Sequence, residues 1–299
     1  WNPAHFLKMQ NRDDSLCRQR GTLGNRNHRS AGRKSGEIDM KLTLFDSHAH
    51  LDVPEFDEDR DGLLDRLTKE CDISYVVNPG VDLETSSNAV KLAQKYPWIY
   101  AAVGFYPQKT DKLDEDTFFL LEGLAKKDKV VAIGEIGLDY YWKTVPHDVQ
   151  QYWFRRQIQL AVKLGKPIAI HDREAHGDVM RILKEEKAFE NTRVLMHCYS
   201  GSAEMARQYL TMGCYFSIAG PVTYKNAKKA PEIIAAIPLD HMCIETDAPY
   251  LTPMPFRGRR NDPSYVRYTA MKIAELKGIS LEEVARATCE TAKRFYGIE

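Results

Sequence analysis

Short apolar runs alternate with longer amphipathic stretches from residue 42 onward. Eight runs have the length of buried strands: residues 42–46, 73–78, 99–103, 130–134, 167–171, 193–197, 214–218 and 242–246. Helical spacing occurs between and after them, for example at 150–164, 202–212, 224–237, 263–277 and 281–295. Buried strands that alternate with helices predict a parallel sheet. Eight repeats in a chain of this size predict an α/β fold, a distorted (β/α)8 barrel of the TIM type, as a single domain.

Residues 1–39 differ from the rest of the chain. They are polar, carry eight Lys and Arg against four Asp and Glu, and show no helical or strand period. We therefore predict that residues 40–299 form the barrel domain and that residues 1–39 are a disordered extension or a segment foreign to that domain. The alternative interpretation is a basic arm that contacts nucleic acid.

The overall charge limits the kinds of partner. The 42 Lys and Arg balance the 42 Asp and Glu, so no global positive field attracts nucleic acid and any such contact must be local. Neither a membrane-spanning apolar run nor a signal-peptide core is present in the sequence. We expect a cytoplasmic protein without membrane association, and the sequence gives no indication of an obligate protein partner.

Six potential metal ligands lie at the carboxyl ends of predicted strands: His48, His50, Glu135, His171, His197 and Asp247. In a barrel these ends converge on the face where active sites are built. A single histidine at a strand end is often a core or capping residue, so the hypothesis depends on the whole set. Six ligands exceed the need of one tetrahedral ion, which favours two divalent ions, Mg²⁺, Mn²⁺ or Zn²⁺. We assign His48, His50 and Asp247 to one ion, His171 and His197 to the other, and a bridging position to Glu135.

Four long motifs carry a family resemblance: FDSHAHLD at 45–52, GEIGLDY at 134–140, HCYSG at 197–201 and ETDAPYL at 245–251. Together they resemble the TatD-type metal-dependent deoxyribonucleases, which are amidohydrolase-like barrels. The resemblance runs from Met40 to the C-terminus. It implies a TIM-type barrel, a dinuclear site, metal-dependent DNase activity and a cytoplasmic setting, and its ligand pattern falls on the same six residues.

One segment departs from the family pattern. The family often has Gly-x-His-Pro after the third strand, whereas this chain has Tyr106 at the position of the histidine. A tyrosine hydroxyl can hydrogen-bond a substrate phosphate, but it is not a cationic acid at neutral pH. Tyr106 is therefore a candidate substrate contact with an altered role.

Three acidic residues are the catalytic candidates. Asp247 is the predicted general base for the attacking water, and Glu135 is the predicted bridge between the ions. Glu245 lies two residues before Asp247 on the predicted strand and should share its face. It either orients the site or competes as the base.

Cationic and aromatic residues near these ligands are candidates for substrate binding. Arg173 follows His171, and Arg257 lies in the loop after the last predicted strand. Arginine suits phosphate because its planar fork donates two parallel hydrogen bonds. Tyr140 begins an aromatic run that could stack on an unpaired base. The competing interpretations are solvated arginines and aromatic rings packed under loops. Cys198 is expected to be a buried structural thiol that points away from His197.

The leading functional hypothesis is a metal-dependent deoxyribonuclease that acts on single-stranded DNA or strand ends, with RNA as a second nucleic-acid substrate. The preference for ends is implied by the family. A second hypothesis keeps the ions and changes the substrate to an ester or amide, including an aminoacyl ester on tRNA. A third is a barrel that binds a partner without catalysis, which the complete ligand set disfavours.

Overall fold

The computed structural model describes residues 42–299. Eight strands form one parallel sheet in the order β1 to β8, which confirms the predicted barrel. The strands are β1 (Leu44–Asp46), β2 (Ile73–Pro79), β3 (Ile99–Val103), β4 (Val130–Asp139), β5 (Ile168–Arg173), β6 (Val194–Met196), β7 (Tyr215–Ile218) and β8 (Met242–Ile244). The prediction for residues 1–39 lies outside the described part of the chain.

Helices surround the sheet, and most of them connect consecutive strands. They are α1 (Arg60–Glu70), α2 (Leu83–Lys95), α3 (Glu115–Ala125), α4 (His147–Leu164), α5 (His176–Glu185), α6 (Ala188–Asn191), α7 (Ala203–Leu210), α8 (Ala230–Ala236), α9 (Val266–Lys277) and α10 (Leu281–Tyr296). Within residues 42–299, no helix has the length and apolar character needed to cross a bilayer.

The barrel is nearly closed between β1 and β8, where separate hydrogen bonds replace a continuous ladder. The Ser47 amide donates to the Ile244 carbonyl (3.0 Å), and the Asp247 amide donates to the His48 carbonyl (2.9 Å). The buried Asp46 carboxylate accepts from the amide and the hydroxyl of Thr246. These bonds join the segments that carry His48 and Asp247.

Strand β4 is longer than the predicted 130–134 and contains a bulge. Ile133 pairs with Ile168 and Ile136 with Ile170, so Gly134 and Glu135 lie opposite a single residue of β5. A bulge of this kind redirects a side chain. Glu135 thus lies within a strand, whereas the sequence pattern placed it at a strand end.

The segment 224–237 is helical only in its second half, so the helix predicted there is too long. Its helix starts at Ala230, with Pro231 in the first turn. Proline lacks the amide hydrogen that a helix interior requires, but it is accommodated at a helix start. The residues before Ala230 form turns that line a cavity at the carboxyl ends of β6 and β7.

The end of the barrel opposite the ligands is closed by α10. Phe45 of β1 is 1% exposed and stacks against Tyr75 and Tyr296, with ring centroids 5.2 and 6.0 Å apart. The Tyr296 hydroxyl also donates to the Ser47 carbonyl (2.9 Å), directly before His48. Packing at the base of the barrel therefore supports the backbone that presents the first ligand.

We predict that Phe45→Ala lowers the free energy of unfolding by about 3–5 kcal/mol, because it removes a buried ring and leaves a cavity. Phe119→Ala is the control, since that ring is 74% exposed and should change stability by less than about 0.5 kcal/mol. Chemical denaturation of both variants measures the difference. Equal effects would contradict the core role of Phe45.

Candidate metal centre

Four candidate ligands form a first group at the mouth of the barrel. His48 and His50 follow β1, and Asp247 is held beside them by the backbone bonds between the ends of β1 and β8. Their atoms lie close together: His48 Nε2 to His50 Nε2, 3.3 Å; His50 Nε2 to Asp247 Oδ1, 3.4 Å; His48 Nε2 to Glu135 Oε2, 3.5 Å. Ligands about 2.1 Å from a tetrahedral ion are about 3.4 Å apart, so the spacing fits one cation.

A second group shares Glu135 with the first. Glu135 Oε1 lies 2.9 Å from His171 Nδ1 and 3.2 Å from His197 Nε2. The two oxygens of one carboxylate therefore face different pairs of histidines. His48, His197 and Glu245 form a further overlapping group with ligand spacing. The structure thus brings together all six residues that the sequence indicated.

Glu245 lies behind His197. Its Oε1 is 3.2 Å from His197 Nδ1, and its other oxygen accepts a hydrogen bond from the Ser217 hydroxyl. Ser217 in turn contacts the Ser47 hydroxyl at 3.1 Å. Strand β8 ends at Ile244, so Glu245 and Asp247 do not share a strand face as the sequence pattern suggested. These contacts favour the orienting alternative for Glu245.

Asp139 contacts the ring of His171 as Glu245 contacts that of His197. The sequence pattern did not indicate Asp139 as a site residue. Its Oδ2 lies 3.1 Å from His171 Nε2 and accepts a 2.6 Å hydrogen bond from the Tyr106 hydroxyl. Tyr106, expected to contact substrate, thus directs its hydroxyl to the carboxylate behind His171. The sequence feature that could have pointed to this pair was the tyrosine at the position where the family often has histidine. Only the fold shows that its partner is Asp139.

The predicted substrate residues lie in different surroundings. Arg173 and Arg257 are exposed and lie over aromatic rings, Arg173 at 3.9 Å from the Tyr141 centroid and Arg257 at 4.6 Å from that of Tyr224. Tyr140 is half-buried, and its ring already stacks on His147 with centroids 3.7 Å apart, so it is a poor stacking surface for a base. Tyr250, which the sequence reasoning did not select, is 50% exposed with its ring 6.2 Å from His50.

Cys198 differs from its predicted environment. Strand β6 ends at Met196, and Cys198 adopts a positive φ of 44°. The residue is half-buried and lines a cavity, whereas a fully buried thiol was expected. The strand alternation used for that expectation does not apply beyond the end of β6.

The charged side chains of the two ligand groups shift one another's pKa values. Burial lowers the pKa of His197, but the nearby Glu135 and Glu245 carboxylates outweigh burial and hold that pKa well above its usual value. Burial raises the pKa of Glu135, yet the His197 charge and hydrogen bonds from the histidines keep it well below its usual value. Burial and the charge of His197 lower the pKa of His48. The carboxylates thus favour cations at this position.

Comparison with known proteins gives the family. The sequence model described as TatD-related DNase matches residues 45–297. The chain belongs to this family. It is 47% identical over 255 residues to the Bacillus subtilis metal-dependent hydrolase YabD, covering 85% of this chain and 99% of that protein. Identity to the Mycobacterium tuberculosis metal-dependent hydrolase TatD is 37% over 262 residues, with 85% and 98% coverage.

A solved structure shares the fold. YjjV, a TatD homologue from Escherichia coli, superposes with a TM-score of 0.81 at 27% identity, covering 87% of this chain and all of that one. This TatD-family chain is accordingly a metal-dependent hydrolase with a metal site of histidine and glutamate, and the clusters described above have the spacing to hold a metal ion. Imidazole and carboxylate donors suit Zn²⁺ and Mn²⁺, and carboxylates suit Mg²⁺.

We predict that metal binding releases protons. Burial lowers the pKa of His171, but its bonds to Asp139 and Glu135 outweigh burial and raise it, and the pKa of His197 is raised as well. Without metal, both rings are therefore mostly doubly protonated and positively charged near pH 6.5, whereas a histidine that binds a metal must be neutral. Affinity for Mn²⁺ or Zn²⁺ should rise with pH until the raised pKa values are passed.

Calorimetric titration with metal at pH 6.5, in buffers of different ionisation enthalpy, measures the proton release. A binding heat that is independent of the buffer would contradict the expectation. So would an affinity that is greater at pH 5.5 than at pH 7.5.

Proposed function

We propose that this TatD-family hydrolase binds two divalent ions and hydrolyses phosphodiester bonds in DNA. The proposal rests on the carboxylate of Glu135, because its two oxygens face different pairs of histidines. Oε2 faces His48 and His50, and Oε1 faces His171 and His197. Bridging carboxylates are typical of paired-ion hydrolases, whose ions lie about 3.5–4 Å apart. Mg²⁺, Mn²⁺ and Zn²⁺ all suit these donors.

Bound ions would polarise a phosphoryl oxygen and lower the pKa of a water toward about 7. Asp247 is the residue best placed to accept the proton of the attacking water. Its side chain is 16% exposed, compared with 5% for Glu135 and 0% for Glu245. Glu245 and Asp139 keep the rings of His197 and His171 oriented through hydrogen bonds.

Exposed cations near the ligands support a phosphate substrate. Arg173 belongs to β5, which also carries His171, and Arg257 lies in the loop after Asp247. Each guanidinium lies over an aromatic ring that limits its motion. The chain has no net charge, so these arginines provide the local positive charge that a polyanion needs.

The depth of the ligands favours unpaired strands. His48, His50, Glu135 and His197 are 1–7% exposed, below a rim that carries the exposed Tyr250. A single strand can bend its phosphate into such a mouth more easily than a rigid duplex. We therefore propose single-stranded DNA and strand ends as substrates, cleaved exonucleolytically.

The test is a substrate panel with protein reconstituted in Mg²⁺, Mn²⁺ or Zn²⁺. It comprises single-stranded DNA, duplex DNA, RNA, aminoacyl-tRNA and a simple carboxylic ester. Single-stranded DNA should be hydrolysed fastest, and a chelator should abolish the reaction. Turnover of the carboxylic ester or aminoacyl-tRNA without DNA cleavage would replace the proposal with an esterase or deacylase.

We predict that Glu135→Ala abolishes binding of both ions and lowers DNA turnover by at least about 10³-fold, because both ligand groups lose a shared donor. Glu115→Ala is the control, since that exposed residue on α3 pairs with Arg156 of α4 and with none of the candidate ligands. Elemental analysis and initial rates measure the outcome. Retention of both ions in Glu135→Ala would disprove the bridging assignment.

We predict that Arg257→Ala raises KM for single-stranded DNA about tenfold and leaves the metal content unchanged, because it removes a phosphate contact but no ligand. The control is Arg286→Ala on α10, at the opposite end of the barrel. Unchanged kinetics on DNA would remove Arg257 from the substrate site.

A further inference from the structure

A cavity of about 420 Å³ lies next to the candidate metal centre. Its wall includes Cys198, which directly follows His197, and Ala219, which directly follows β7. Both residues belong to loops at the carboxyl ends of strands, so the cavity lies on the same face of the barrel as the ligands. The start of α8 forms its other side.

The deep part of the cavity is apolar. Ile218, Val222, Ile233 and Ile234 line it, and each is at most 8% exposed as a residue. Sites for small molecules typically have volumes of about 300–1,000 Å³ and apolar walls. The cavity therefore suits one small organic group and is too small for a duplex.

The only charged side chains among the described residues that line the cavity are Lys228 and Lys229. Both are exposed, directly before α8, so they form a cationic rim above an apolar interior. Arg257 extends this positive charge, because its guanidinium lies over the ring of Tyr224 in the same segment. An occupant should therefore combine an apolar or aromatic body with a neighbouring anion.

The loop after β7 holds a fixed shape through contacts with the loop after β8. A Cβ atom on Gly220 would lie 2.1 Å from the Leu251 carbonyl oxygen, so only glycine permits this approach. The Met254 amide also donates to the Thr223 hydroxyl at 2.8 Å. The wall of the cavity is thus built before any ligand arrives.

We propose that this cavity receives an unpaired nucleobase next to the scissile phosphate, and that Lys228 and Lys229 contact the adjoining phosphate. The inference rests on the proposed nuclease function and assigns a base subsite to it. The faces of a nucleobase can pack against the apolar residues, Ser200 and Asn226 in the lining offer partners for its polar edge, and its chain supplies the anion at the rim. A paired base must leave its stack to enter, so the cavity selects single strands and frayed ends.

The experiment compares small diesters that release the same p-nitrophenolate. They are the 5′- and 3′-(p-nitrophenyl) phosphates of thymidine, and methyl p-nitrophenyl phosphate, which lacks a nucleoside. For the metal-loaded wild type we expect kcat/KM to be at least about tenfold greater for one of the two thymidine diesters than for methyl p-nitrophenyl phosphate. This ratio is the thymidine preference, and its magnitude is typical of filling an apolar pocket. A kcat/KM for both thymidine diesters no greater than that for methyl p-nitrophenyl phosphate would overturn the proposal.

Two variants fill the cavity from different positions. Ala227→Trp and Ala230→Phe each place a ring into the space, and we expect either one to reduce the thymidine preference to about threefold or less. Circular dichroism and metal content verify that each variant is folded and loaded. A wild-type preference in a folded, loaded variant would overturn the proposal.

The lysines are tested on longer substrates. Replacing Lys228 and Lys229 by alanine should raise KM for a single-stranded oligonucleotide about three- to tenfold and weaken its salt dependence. Lys225→Ala is the matched control, because this exposed lysine precedes the cavity-lining residues and does not line the cavity. Equal effects of the control and the double variant would overturn the lysine assignment.

Failure of the subsite is distinguishable from failure of the nuclease proposal. Cleavage of DNA and of methyl p-nitrophenyl phosphate without a thymidine preference removes the base subsite and leaves the nuclease intact. Absence of phosphodiester cleavage by the metal-loaded wild type removes both.

Discussion

The buried carboxylate of Glu135 is the constraint around which the mouth of the barrel is organised. A carboxylate taken out of water needs compensating positive charge or hydrogen bonds. Glu135 faces an imidazole pair with each oxygen, and it lies where a bulge in β4 directs it toward four other strand ends. Histidine protons can provide the positive charge, and a bound metal ion would provide more of it.

The ligands depend on a second layer of acidic residues. Glu245 fixes His197, and Asp139 fixes His171, so each ring of the second group contacts a carboxylate on both sides. Such partners set the ring orientation and increase its basicity as a ligand. In this chain, Tyr106 and Ser217 hold these carboxylates in turn. The fold thus transmits the rigidity of the strands to the atoms that would bind metal.

Outside the candidate ligands, the same face of the barrel carries local positive charge, although the chain as a whole has no net charge. Arg173 and Arg257 lie over aromatic rings, and the two lysines before α8 border an apolar cavity. These cations belong to distant segments of the chain: Arg173 ends β5, Arg257 follows Asp247, and the lysines directly precede α8. The face of the barrel that carries the candidate ligands thereby also carries the positive charge that the proposed DNA substrate requires.

The sequence by itself determined the eight strands and the six candidate ligands, because hydrophobic periodicity and the position of a residue near a strand end are local properties. It did not determine the bulge at Glu135, the short α8, the half-buried Cys198, or the partners of Tyr106 and Glu245. The start of α8 has a local reason in Pro231, which a helix accommodates only in its first turn. The bulge, the burial of Cys198 and the partners of Tyr106 and Glu245 depend instead on distant segments, through the pairing of β4 with β5, the bonding of the loop after β6 to β7, or hydrogen bonds across the barrel. The tertiary structure decided them because side-chain direction and burial are fixed only when those segments meet.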